Sequence, residues 1–301
     1  MAVLQRLDGN DKDLGGGFTV RRLLPAARQR SVGPFVFFDH FGPVTEVPGV
    51  DHDVRPHPHI GLATVTYLFE GATMHRDSLG TQQLIEPGAI NWMTAGRGIV
   101  HSERRPEHLK DTSFVNHGLQ LWVALPGEHE EDEASFVHTP AAAIPQLQIG
   151  SAQVRVLVGA AFGVTSPVRP ATPTVYLDVQ LQAGGNLALP AMRGDDAAQT
   201  PFELAVYPVQ GDIHIDQQTV AANVLAVLQP GVPVRITAQQ SARLALVGGA
   251  PLDGPRNIWW NFVSSRKERI VQAAQGWEAQ RLGQVPGESE FIPLPEQRFT
   301  P

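Results

Sequence analysis

Between residues 56 and 125 the chain is written in short apolar runs cut by glycine and proline: LATVTYLFEG, TQQLIEPG, AINWMTAG, GIVHSE and HGLQLWVALP. Gly71, Gly80, Pro87-Gly88, Gly96, Gly98 and Pro126-Gly127 fall at the breaks. Runs of this length at this spacing are strands joined by tight turns, and a series of them predicts a sandwich or small barrel. A second series follows: QVRVLVG, TVYLDVQLQ, FELAVYPVQG, VLAVLQPG, VPVRIT and ARLALVGG. Between the two, the acidic stretch Glu128 to Glu133 and the Ala-rich segment Pro140 to Pro145 read as a linker. The expectation is an all-β chain of two domains, residues 1-135 and 136-301.

The only helical pattern comes late. Ser265 and Glu268 have the spacing of a capping box, and Ile270, Ala274 and Trp277 recur at i, i+4, i+7, a stripe suited to docking on a domain surface. The two strand series also share landmarks. Tyr67-x3-Gly71 runs on to Pro87-Gly88, and Tyr207-x3-Gly211 to Pro230-Gly231, which predicts one duplicated barrel.

Composition narrows the chemistry. Apolar residues make up 42% of the 301 and charged residues 18%, enough core to fold and too little charge for disorder. The net charge of −7, with basic residues only in scattered pairs such as Arg104/Arg105, argues against direct nucleic-acid binding. There are no cysteines, so disulfides, thiolate catalysis and cysteine-held clusters are excluded, and a metal must be held by imidazole and oxygen. The opening MAVLQRLDGNDKD turns polar too early for a secretory segment, and no run approaches a membrane span. A cytoplasmic protein is expected.

The histidines carry the sharpest signal. His57 and His59 are two apart at the head of a strand, so both imidazoles aim to one side. Carrying that parity forward through Ala63, Val65 and Tyr67 assigns these to the interior and Thr64 and Thr66 to an outer face. His101 and Glu103 repeat the two-residue spacing after a glycine-rich turn. A lone His-x-His is common by chance; a second pair in the same strand series is what makes a site. Three imidazoles and one carboxylate suit iron, nickel, manganese, copper or zinc. His75 is a candidate for supporting the ligands from behind. His40 and His52 read as loop residues, His129 as part of an acidic loop, and His108, His117 and His138 have no partner at ligand spacing. Ungapped alignment of the repeat puts Ala197 and Gln199 opposite His57 and His59, and Leu244 and Leu246 opposite His101 and Glu103. The second barrel therefore lacks the site.

At these residues the chain resembles the pirin family of the cupin superfamily. The resemblance lies in Val32-Gly33-Pro34-Phe35, Arg55-Pro56-His57-Pro58-His59-x-Gly61, Thr64-Val65-Thr66-Tyr67-Leu68, Trp92 to Glu103, Gly118 to Val123 and Ile258 to Ser265, and covers nearly the whole chain. It implies a bicupin, two cupin β-barrels in tandem, with metal only in the first. The family's four ligands fall on His57, His59, His101 and Glu103. Many pirin-like sequences have glutamate where Ala63 stands, a departure that bears on pocket polarity. The resemblance further implies a quercetinase-like dioxygenase: Fe(II) as first choice of metal, a flavonol-like aromatic substrate with O2, and Glu103 as general base. A rival class is a redox-responsive metal protein that binds a transcription factor or metabolic enzyme, and a third is another cupin reaction such as isomerisation.

Overall fold

The computed structural model describes residues 2–14, 18–50 and 52–300. Strands dominate, with one α-helix, Lys267–Glu278, among the described residues, and no helix long and apolar enough to cross a membrane. The chain forms two compact units. One comprises Met1–Asn10, Arg22–Phe37 and Ala142–Leu252; the other comprises Asp11–Arg21, Phe38–Ala141 and Asp253–Pro301.

Each unit is built on a seven-stranded antiparallel sheet faced by a four-stranded one. In the unit of the second series the wide sheet runs Val3–Leu7, Leu225–Leu228, Glu203–Gln210, Ala242–Gly249, Thr174–Leu181, Ala152–Val158 and Gln146–Ile149. The narrow sheet runs Asn186–Leu189, Val234–Thr237, Ile213–Ile215 and Gln218–Val220. Val154, Val156, Leu177 and Val179 of the first pack with Leu187, Leu189, Ile213 and Ile236 of the second in one dry core. This is the alternating inward face of a β-sandwich.

The other unit repeats the plan. Its wide sheet runs Ser135–Thr139, Ile90–Thr94, Leu62–Glu70, Phe114–Ala124, Phe35–Glu46, Thr19–Leu24 and Asn10–Asp13. Its narrow sheet runs Val54–His59, Ile99–Arg104, Thr73–Asp77 and Gln82–Ile85. The strand order matches position for position, and Tyr67 and Tyr207 lie fully buried in equivalent strands. The duplication stands.

Four expectations need correction. First, the ungapped alignment compared the wrong strands. Pro87-Gly88 precedes Ile90–Thr94, whereas Pro230-Gly231 follows the equivalent strand Leu225–Leu228. By strand order, Asn186–Leu189 and Val234–Thr237 stand where Val54–His59 and Ile99–Arg104 do. The apolar Leu187, Leu189, Val234 and Ile236, not Leu244 and Leu246, fill the ligand strands of the second barrel. The conclusion that it lacks the site survives.

Second, only half of the expected linker is one: the units divide inside Pro140 to Pro145, between Ala141 and Ala142, whereas the acidic stretch belongs to a unit. Ser135–Thr139 is an edge strand paired with Ile90–Thr94, and Glu130 is buried, accepting from Ser264 and Ser265 and ion-paired with Arg256. Third, those bonds occupy Ser265, so the capping box does not form: the helix N-cap is Arg266, with no side-chain cap. The stripe itself docks, since Ile270 and Trp277 are buried and Ala274 partly so against Ile60, Val100 and Phe262. Fourth, the units do not divide at 135. The strand Val3–Leu7 pairs with Leu225–Leu228, and the C-terminal helix joins the unit of the first series. Sheet pairing across more than 200 residues leaves no local trace in sequence.

Candidate metal centre

The segment Arg55-Pro56-His57-Pro58-His59 folds as it does because of its prolines. Without N–H groups they cannot serve a central strand, and Val54–His59 lies at the edge of the narrow sheet. With the prolines pointing one way, both histidines point the other. The neighbouring strand brings His101 directly opposite His57, with a register shift before Glu103. The ring centroids lie 4.3 Å apart for His57 and His101 and 5.0 Å for each of the other two pairs. Ligand nitrogens of His57, His59 and His101 all fall within 4.8 Å of one another, and all three residues are buried. The triad can hold a metal ion.

Each ring is turned by a bond on its far side. His57 Nδ1 donates to the Arg55 carbonyl at 2.9 Å and His59 Nδ1 to the Asn261 carbonyl at 3.2 Å. Asn261 sits at the tip of the hairpin Asn257–Trp259/Phe262–Ser264. His101 Nδ1 faces His75 Nδ1 at 3.4 Å, and His75 Nε2 donates to Asp77 at 2.9 Å. One proton per ring makes a single self-consistent chain: Asp77 accepts from His75, His75 accepts from His101, and His101 Nε2 keeps its lone pair. That atom is buried with no hydrogen-bond partner. A buried, bare imidazole nitrogen beside two others is what a metal-binding site requires, and metal-bound histidines are oriented through their other nitrogen in this way.

The electrostatics agree. Burial pushes the His57 ring down to about 4, against a smaller upward pull from the Arg55 carbonyl. Burial, then neighbouring imidazoles, also holds His59 and His101 well below the ordinary histidine value. All three are neutral ligands at pH 7. Burial raises the Asp77 carboxyl, but hydrogen bonds from His75 and Thr81 outweigh it and the net shift is downward. Asp77 is thus an anion, a firm acceptor for His75.

Glu103 stands apart from the triad. It lies two residues beyond His101, on the same side of the strand and opposite His75 in register. The residue keeps some solvent contact, yet its carboxyl is packed closely enough that desolvation raises it to about 7.

Gly61 corrects the predicted face. It turns the chain from the narrow to the wide sheet at φ +67, where a Cβ would lie 2.0 Å from the Val263 carbonyl oxygen. The parity of His57 and His59 does not pass through that corner. Trp122 meets the His59 ring edge-on at 5.2 Å, and Trp122 pairs in register with Thr64. Thr64 and Thr66, 3% and 6% exposed, therefore face the histidines, and Ala63 faces away. The loss of a glutamate at Ala63 leaves the polarity of the site untouched.

The strands are braced from behind. Ser102, pointing opposite to His101, donates to Glu288 at 2.5 Å; Arg104 binds Glu288 too, and the Ile292 N–H donates to the Pro56 carbonyl at 2.8 Å. Other histidines that read as isolated are engaged: His40, on a strand and not in a loop, meets His117 at 2.8 Å; His52 bonds Glu46, and His138 bonds Asn91. A hollow of about 380 Å³ in the other unit is lined by glutamines and Arg243, which is bound to Asp178, and it carries no catalytic group.

A family model described as Pirin matches residues 17–123, and one described as Pirin C-terminal cupin domain matches residues 176–283. They fall one on each strand series, so the two-cupin architecture holds. A pirin-like protein of Caulobacter vibrioides is 45% identical over 294 residues, 96% of this chain and 98% of that protein. Pirin of Homo sapiens is 34% identical over 280 residues, 91% of this chain and 89% of its own. The crystal structure of quercetin 2,3-dioxygenase from Acinetobacter baumannii matches with a TM-score of 0.88 at 34% identity, covering 99% of this chain and 97% of that one.

Proposed function

This chain belongs to the pirin family, and from that membership and its histidine site we propose that it is a metal-dependent dioxygenase that opens flavonol rings. The observation that carries the reading is the His101 Nε2 lone pair, buried and unpartnered between two neutral imidazoles. In this reading His57, His59, His101 and Glu103 hold one ion, with Fe(II) the first choice from family membership, the donor set itself suiting nickel, manganese, copper or zinc as well. When bound, the ion binds and polarises an oxygen-bearing ligand and favours its deprotonated form.

The remaining work falls to the chain. Glu103, beside His101 on the same strand, would be the group that accepts the proton of a ligand hydroxyl once its own has been displaced on metal binding. Trp122 and Met93, both buried, would give a flat ring its apolar contact with water displaced. The balanced reaction consumes a flavonol and O2 and yields the ring-opened ester and carbon monoxide. The structural likeness to the Acinetobacter quercetin 2,3-dioxygenase supports this substrate class. The test is oxygen uptake and carbon monoxide release with quercetin on metal-loaded protein. Turnover no greater than that of His101→Ala rejects the proposal.

A further inference from the structure

The wide sheet presents two successive rows of side chains toward the histidines. The first row is Phe136, Met93, Thr64 and Trp122, paired strand to strand in register. It meets the site at both ends: Trp122 lies against His59, and Phe136 stacks on His75 at 4.3 Å. Two residues further along each strand, about 7 Å away, the second row is His138, Asn91, Thr66 and Gln120. Beyond it, Leu68 joins Val20, Phe41 and Ile85 in an apolar plug.

A polar row between an aromatic floor and an apolar plug needs a reason, and its bonding is incomplete. Thr66 Oγ1 donates to Gln120 Oε1 at 2.8 Å, and Asn91 Oδ1 is bonded to His138 Nδ1 at 2.7 Å. Asn91 is 2% exposed, and its Nδ2 has no hydrogen-bond partner among the described residues. Turning the amide over does not help, because His138 then takes the nitrogen and leaves the oxygen bare. Buried amide groups are almost always satisfied, so this exception calls for a partner that the chain itself does not supply.

We propose that Asn91 is the recognition group for a second oxygen on the ligand, a hydroxyl or carbonyl carried by a flat aromatic system whose other end reaches the histidines. The Trp122 end of the first row takes the ring and the second row takes the oxygen. This rests on the reading that the site accepts oxygenated aromatics, and it names which of them it prefers: those with oxygen functions well separated along the ring system.

The test uses metal-loaded protein and two probes, quercetin and 3-hydroxyflavone. Both carry the hydroxyl beside the ketone, and only quercetin carries further hydroxyls. Kd is read by absorbance titration for wild type and for Asn91→Leu, which keeps the branched outline and removes the amide. Wild type should favour quercetin about tenfold, the worth of one good hydrogen bond to a buried group. In the variant that preference should vanish through weaker quercetin binding, with unchanged metal content and a melting temperature no lower than wild type. If Asn91→Leu does not fold, Asn91→Ala is read against the same pair. A lower melting temperature with the preference intact would make Asn91 structural and overturn the proposal. Quercetin preference lost in the variant, with no turnover by wild type, would sustain Asn91 and reject the oxygenation. Turnover with the preference unchanged in the variant would do the reverse. Failure of wild type to bind either probe would reject both.

Discussion

Asp77 is the anchor of His101, two bonds removed, and replacing it with asparagine should disarm the site without touching a ligand. Its Oδ2 accepts from His75 Nε2 at 2.9 Å, and its Oδ1 accepts the backbone N–H groups of Leu79 at 2.9 Å and Thr81 at 3.0 Å. Both oxygens are acceptors, and an amide offers only one. In Asp77→Asn the oxygen stays with the two backbone donors and the NH2 turns to His75, whose Nε2 must then accept. The His75 proton moves to Nδ1, facing His101 Nδ1. His101 in turn carries its own proton on Nε2, the atom a metal needs. Losing an orienting partner of this kind costs about 10- to 100-fold in metal affinity, or about 1.4 to 2.8 kcal/mol. Competition against a fluorescent chelator measures the affinity, and nitrogen-15 NMR of the metal-free protein reports the tautomer. An affinity within threefold of wild type, or His101 still protonated on Nδ1, would refute the relay.

Metal uptake should release protons in a pH-dependent way. The triad is already neutral at pH 6, whereas Glu103 holds its proton up to about 7, so binding at pH 6 should displace about one proton and at pH 8 almost none. Affinity then rises with pH and levels off above 7; calorimetry in two buffers of different ionisation enthalpy reads this, and no release at pH 6 removes Glu103 from the ligand set. Gly61→Ala places a methyl against the Val263 carbonyl at a positive φ, so a loss of about 3 kcal/mol or more is expected. A denaturation midpoint near wild type would contradict it. Glu288→Ala strips Ser102 and Arg104 of a carboxylate with 8% exposure. Because Arg104 keeps Asp53 and Glu290 nearby, the cost should be about 2 kcal/mol, below that of a fully orphaned buried charge. A change under about 0.5 kcal/mol in chemical denaturation would make the brace inert.

The histidine triad was legible because its spacing is local: His57-x-His59 lies on one strand, where period two settles the face, and His101 opens the matching pair on the next. What orients the rings was legible only in part: His75 was read as a support and does face His101, but the distant partners were not. Asn261 reaches His59 from 202 residues away, and Glu288 reaches Ser102 from 186. No local pattern marks a backbone carbonyl as a histidine's partner. Parity misled at Gly61, where one residue in the left-handed region moves the chain to another sheet and restarts the alternation. The duplication was visible in Tyr67 and Tyr207, yet Pro-Gly pairs, being interchangeable turn formers, aligned the wrong strands. The capping box failed because Glu130 outcompeted the helix N-terminus for Ser265, a tertiary contact overriding a local preference.

The exchange of terminal segments between the two strand series has a consequence for biosynthesis. The half that leaves the ribosome first is finished by the part that leaves last, since the hairpin behind His59 and the tail behind Ser102 both follow Asp253. A nascent chain stalled at its midpoint therefore holds His57 and His101 against their local partners but leaves His59 without the carbonyl that turns it. A premature stop between the second barrel and Asn261 would leave one of the three imidazoles unaimed, and a later stop would remove only the brace on Ser102.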